Sequence, residues 1–191
     1  DLSGTTAIAT GSTGGIGFAI ARGLAGSGAS VVVNGRTQAK ADAAAEAIIK
    51  AVPGAKARGV GADVSTAEGC AKLVAAVPDT DILINNAGIF EPKDFFEIPD
   101  ADWTRFFEVN VMSGVRLSRA YMQGMLKRNW GRIVNVSGTM EPRGVNAAVA
   151  AKAALHLWAK GLAAYDAADR KLAERIVEID PTLKGYTPGR S

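Results

Sequence analysis

The 191-residue chain has one cysteine, Cys70, and one histidine, His156. A lone cysteine excludes an internal disulfide and any cysteine-clustered metal site. A lone histidine excludes a multi-histidine zinc centre and gives a Ser-His-Asp triad one possible centre. No apolar run approaches the roughly 20 residues that span a bilayer. The opening DLSGTTAIATGS lacks the charged and apolar regions of a signal peptide. Neither sign of charge dominates: 22 Lys and Arg face 19 Asp and Glu, scattered rather than striped, so nucleic acid is not an expected partner. What is present suits a globular chain, 48% hydrophobic and 21% charged. Its length fits one domain over 1–191. The expectation is a soluble, cytoplasmic protein with no metal site, no membrane partner and no nucleic-acid partner.

Short β-branched runs alternate with alanine-rich stretches. Thr5–Thr10, Ser30–Asn34, Ala57–Ala62, Asp81–Asn85 and Arg132–Val136 read as strands, the third being the weakest. Several are apolar at both alternating positions, as expected of strands covered on two faces. Helical segments fall at 15–27, 37–51, 65–77, 100–128 and 146–170. Strand–helix alternation of this length predicts an α/β fold, a doubly wound parallel sheet of Rossmann type with helices on both faces. Glu91–Pro99, with Phe90, Phe95 and Phe96, reads as the longest loop. Its apolar residues either line a substrate pocket or pin the loop to the core.

Thr10-Gly11-Ser12-Thr13-Gly14-Gly15-Ile16-Gly17 follows the first strand and opens a helix. Gly11 suits the tight turn off the strand, Gly15 a close backbone approach to a pyrophosphate, and Gly17 close packing of helix on sheet. The helix N-terminus adds unpaired N–H groups and partial positive charge. No Gly-Lys-Ser/Thr follows, which excludes a Walker A loop and leaves dinucleotide binding.

Other segments extend the pattern: Asp63-Val64 after the third strand, Asn85-Asn86-Ala87-Gly88 ending the fourth, Asn110 within Glu108-Val109-Asn110-Val111, and Gly131-Arg132-Ile133-Val134-Asn135-Val136-Ser137. Over residues 3 to about 163, their order and spacing resemble the short-chain dehydrogenase/reductase family. The resemblance implies cofactor contacts at Gly11, Ser12, Thr13, Gly15, Ile16, Gly17, Asp63, Val64, Asn86, Ala87, Gly88 and Lys152. It implies catalytic positions at Asn110, Ser137 and Lys152, a small-molecule carbonyl or alcohol substrate, and a homodimer or homotetramer built on the helices near 100–128 and 146–165. An acidic residue ending the second strand would favour NAD. Here that strand ends Asn34-Gly35-Arg36-Thr37. Arg36 can pair with a 2′-phosphate, favouring NADP(H) over NAD(H), although a solvated loop arginine is the plainer alternative.

Members of that family carry a tyrosine four residues before the lysine; here Ala148 precedes Lys152 by four. The usual serine pair reads Ser137-Gly138, and the segment up to Ala148 is a few residues short. Lys152, Glu141 or a water held by Asn110 are conceivable substitutes for the missing proton donor. His156 reads as a packed or interface residue and Cys70 as a small apolar one. The part from about 165 to 191 is atypical. Arg175–Thr182 can be threaded as a sixth strand, but Leu172, Ile176 and Ile179 recur at helical spacing within Ala167–Ile179, and the helical reading fits better. Either the chain is a fragment, residues are missing from it, or a partner covers the gap. Three functions follow: an NADP(H)-dependent oxidoreductase with an altered site, a catalytically silent NADP(H)-binding sensor or subunit, or a hydrolase or lyase using Ser137 and His156.

Overall fold

The structure, a computed structural model, describes residues 1–137 and 147–165. Five strands, β1 (Thr6–Ala9), β2 (Ser30–Gly35), β3 (Lys56–Gly61), β4 (Ile82–Asn85) and β5 (Arg132–Asn135), alternate with α1 (Gly15–Gly26), α2 (Gln38–Ala51), α3 (Ala67–Ala76), α4 (Asp100–Phe107), α5 (Ser113–Lys127) and α6 (Ala147–Tyr165). Every neighbouring pair is parallel, and the order is β3-β2-β1-β4-β5. The predicted doubly wound Rossmann-type sheet is therefore observed.

The period-two alternation of strands assigns each side chain to a layer. Ala7 and Ala9 of β1, Val31 and Val33 of β2, and Ile82 and Ile84 of β4 meet Ala21 and Ala25 of α1 and Ala44, Ala45 and Ile48 of α2. Ile8, Val32 and Leu83 face the other way, onto Leu73 of α3 and Leu117, Tyr121 and Met125 of α5. Alanine on both sides of the first layer allows α1 and α2 to lie close to the sheet.

The weak third strand forms because α2 completes it. Gln38 Oε1 accepts from Gly61 N (2.7 Å) and its Nε2 donates to Gly59 O (3.1 Å). A Cβ on Gly61 would stand 2.3 Å from Gln38 N, so only glycine admits this contact. The edge backbone is thereby occupied, as an open edge strand requires.

Two expectations change. The helix expected over 100–128 is interrupted by a π turn at Glu108–Met112 between α4 and α5. The loop after β4 is not pinned by its phenylalanines: Phe90, Phe95 and Phe96 are 67%, 51% and 93% exposed. Ile89 and Ile98 hold it instead, packed with Trp103 against Phe106, Ala147 and Ala148. The helix expected over 146–170 is described as far as Tyr165. Gly138, Glu141 and both readings of the segment beyond 165 lie outside the described residues. No helix among the described residues is long and apolar enough to cross a membrane.

Candidate active site

The sheet order diverges at β1, so the loops leaving β1 and β4 run apart and open a crevice at the carboxyl ends of the strands. One hydroxyl joins the two loops. Thr10, 1% exposed, accepts from Asn86 N (3.0 Å) and Ala87 N (2.9 Å) and donates to Ile84 O (3.2 Å). Asn86 Nδ2 returns the contact, donating to Thr10 O (2.9 Å) and Gly11 O (3.1 Å). A second buried tether closes the side toward β2: Asn34 Nδ2 donates to Val60 O and Ala62 O, and its Oδ1 accepts from Gly11 N (3.4 Å). Ser12 lies under the loop. Its hydroxyl donates to Ala9 O (2.6 Å) and its N–H to Asn34 O (2.9 Å).

The glycines of the loop differ in what they permit. A Cβ on Gly17 would meet Asn86 Nδ2 at 2.4 Å and Gly11 O at 2.7 Å, so this glycine lets α1 pack on the crevice floor. Cβ atoms on Gly14 or Gly15 would meet nothing within 4 Å, and Gly15 has φ +57°. Packing does not demand them, and they leave an open backbone surface. The N-terminus of α1 has no side-chain cap and no acidic residue in its first turn. Its N–H groups and partial positive charge therefore stay available to an anion. Ile16, beside them, is 68% exposed.

Around this surface, Thr13 lies against Gly35, whose Cβ would stand 2.4 Å from the threonine methyl. Arg36 follows, exposed and with no ion pair among the described residues. Asp63 is exposed, one oxygen accepting from Ser65 N (3.1 Å) and Ser65 Oγ (2.7 Å). The Val64 side chain belongs to the core, which leaves its main chain for any ligand.

A second group of side chains converges on Gly88. A Cβ there would stand 3.0 Å from Asn110 Oδ1 and 3.2 Å from Lys152 Nζ. Asn110, in the π turn, is buried and grips the next residue from both ends of its amide: Oδ1 accepts from Ile89 N (2.8 Å) and Nδ2 donates to Ile89 O (3.1 Å). Such turns recur at functional sites because they redirect a helix face. Lys152 Nζ donates to Val136 O (2.8 Å), and burial holds the ammonium below the usual lysine range. Ser137, the next residue after Val136, has a buried Oγ with no hydrogen-bond partner among the described residues. Ala148, four residues before Lys152 on α6, is 4% exposed within the cluster of Phe106, Ala147, Ile89, Ile98 and Trp103. Tyr121 is no substitute phenol, because it is buried, donates to Val77 O (2.9 Å) and has its pKa pushed up by burial.

Comparison with known proteins agrees with this arrangement. The family model for short chain dehydrogenase matches residues 5–182. The 3-oxoacyl-[acyl-carrier-protein] reductase FabG of Aquifex aeolicus is 35% identical over 193 residues, covering 97% of this chain and 75% of that protein. The chain belongs to the short-chain dehydrogenase family. Another member, the uncharacterized oxidoreductase YvaG of Bacillus subtilis, is 47% identical over 137 residues, 72% of this chain and 52% of that protein. The chain spans about half the length of several curated relatives it matches. Among solved structures, the L-sorbose reductase of Gluconobacter frateurii complexed with NADPH and L-sorbose superposes with a TM-score of 0.80 at 35% identity, covering 85% of this chain and 64% of that one.

Within this short-chain dehydrogenase frame the expected residues fall into two groups. Gly11 and Gly17 meet Ala87 and Asn86, while Arg36 follows β2 and Asp63-Val64 follow β3; Asn110 and Lys152 approach Gly88, and Lys152 bonds Val136 O, next to Ser137. Sequence reasoning missed Thr10 and Asn34, whose buried hydroxyl and amide join segments 23 to 77 residues apart. Polar residues at the ends of apolar strands were the available signal. A dinucleotide fits the residues present: an open glycine surface, an uncapped helix N-terminus, an exposed arginine and a buried hydroxyl with no partner among the described residues.

Proposed function

We propose that the chain is an NADP(H)-dependent oxidoreductase that moves hydride between the nicotinamide and a carbonyl or alcohol, with its proton-transfer machinery altered. The observation that carries this reading is the uncapped N-terminus of α1 behind the bare backbone of Gly14 and Gly15, with Arg36 exposed at the end of β2. The helix N–H groups would hold the pyrophosphate, and Arg36 would pair with a 2′-phosphate. Asp63 and the main chain of Val64 would take the adenine. Lys152 would bind the nicotinamide ribose, and Ser137 would orient the substrate oxygen through a buried hydroxyl that has no partner among the described residues.

When bound, the cofactor supplies or accepts the hydride. The protein must then move a proton, and Ala148 brings no phenol to do so. Asn110 holds the Ile89 backbone in place, and Lys152 Nζ approaches the neighbouring Gly88. The apolar packing of Ala148 also favours a second reading, a silent NADP(H)-binding protein of the same fold. A homodimer or homotetramer is proposed from the family resemblance, with Phe107 and Leu157 as exposed apolar side chains.

Titration with NADPH and NADH, followed by nicotinamide fluorescence, tests the cofactor reading. NADPH should bind about tenfold more tightly, roughly 1.4 kcal/mol. Equal binding would remove Arg36 from its role, and no binding would remove the cofactor reading. Turnover of a ketone panel with NADPH then separates enzyme from silent binder.

A further inference from the structure

Resting on the reading of this crevice as a carbonyl-or-alcohol site, we propose that its substrate is neutral and apolar, and that the loop after β4 selects against substrates bearing a carboxylate. The loop starts beside Gly88, next to Lys152 and Asn110. Ile89 and Ile98 fasten it to Ala148, one helical turn from Lys152. With those two isoleucines inward, Phe90, Phe95 and Phe96 are left on the outside, the last pair edge to face with centroids 5.4 Å apart. Three large aromatics kept in water beside a crevice are costly unless a ligand covers them.

The charges of the same segment point to what that ligand lacks. Between residues 90 and 105 the chain carries Glu91, Asp94, Glu97, Asp100 and Asp102 against Lys93 and Arg105, a net charge of −3. Both cations are occupied. Arg105 forks onto Glu91 (3.0 and 2.5 Å) and reaches Asp102 (3.3 Å), while Lys93 pairs with Asp102. Glu97 and Asp100 have no ion-pair partner among the described residues, and Asp94 caps the turn at Phe96. An anion approaching this loop meets unneutralised carboxylates and finds both of the loop's own cations already paired. Lys152, deeper in, already donates to Val136 O.

The test uses the whole chain and a matched pair of probes, an aryl methyl ketone and the same ketone with a ring carboxylate, titrated by calorimetry with and without NADPH. The neutral ketone should bind about tenfold more tightly at low ionic strength, and salt should narrow the gap by screening. The triple variant Asp94→Asn, Glu97→Gln, Asp100→Asn should raise affinity for the carboxylate by about threefold or more and leave the neutral ketone unchanged. Phe96→Ser should weaken the neutral ketone. Equal affinity for the two probes, a triple variant that leaves the gap intact, or binding of neither probe overturns the proposal. So does a Phe96→Ser variant that alters only sedimentation, because the aromatics would then face a second copy. Because NADPH binding is read separately, its failure with the ketone preference intact would sink the cofactor reading and leave this one standing.

Discussion

Replacing Gly17 by alanine tests the packing on which the crevice depends. The added methyl would stand 2.4 Å from Asn86 Nδ2, 2.7 Å from Gly11 O and 3.0 Å from Ser12 Cα. Two of those three contacts are backbone, so Asn86 must leave or α1 must lift. Displacing Asn86 Nδ2 loses its bonds to Thr10 O and Gly11 O, about 1 kcal/mol each. Overpacking costs about 1–3 kcal/mol more, and alanine's better helix propensity returns about 1 kcal/mol. The net loss is about 2–4 kcal/mol, read as a fall in melting temperature of about 5–15 °C. Gly14→Ala is the matched control. Its backbone is extended (φ −173°) and its Cβ meets nothing, so the stability cost is at most about 1 kcal/mol. The new methyl lies on the surface assigned to the pyrophosphate, so Gly14→Ala should weaken NADPH by about tenfold or more, about 1.4 kcal/mol. Circular-dichroism melts and NADPH titrations on the pair decide the matter. A Gly17→Ala protein within about 0.5 kcal/mol of the parent, or a Gly14→Ala protein less stable than the Gly17→Ala protein, would refute the reasoning.

Three further outcomes are expected. Arg36→Ala should weaken NADPH about tenfold and leave NADH unchanged in parallel titrations; an equal effect on both would assign Arg36 to neither phosphate. Burial lowers the folded-state pKa of Lys152 below the ordinary 10.5. Between those two values the unfolded chain holds the extra proton, so this group makes stability rise with pH there. Lys152→Met should lack that rise in urea midpoints followed from about pH 8 upward, and identical slopes in parent and variant would refute the assignment. Ala148→Tyr should raise ketone-dependent NADPH oxidation by up to about 10²–10⁴-fold. It should cost about 1–3 kcal/mol of stability against Phe106 and Trp103; unchanged turnover with NADPH binding intact would show that the phenol is not what the site lacks.

The strands and most helices were legible because each depends on a local pattern. Ala7-Ile8-Ala9 and Val31-Val32-Val33 are apolar at both periods, and helices cover both faces of each. The glycine loop was legible for the same reason, since a strand, a tight turn and a helix start are consecutive in the chain. The π turn at Glu108–Met112 was not legible. Nothing local in that sequence opposes a continuous helix, and the turn places Asn110 against Ile89, 21 residues away. The phenylalanines after β4 were half legible: an aromatic-rich loop does not reveal which apolar side chains will find room inside. Ile89 and Ile98 took the space beside Ala147 and Ala148.

Sequence alone settled the order of the elements, the glycines of the turn after β1, the missing carboxylate after β2 and the alanine four residues before Lys152, because each is a matter of residue type and spacing along one segment. The tertiary structure decided where the polar groups point. It placed Ser12 under the loop, turned Thr10 and Asn34 into tethers, directed Lys152 onto Val136 O and left Ser137 Oγ without a partner among the described residues. Those outcomes depend on segments distant in the chain competing for the same buried space, where every donor without a partner costs free energy.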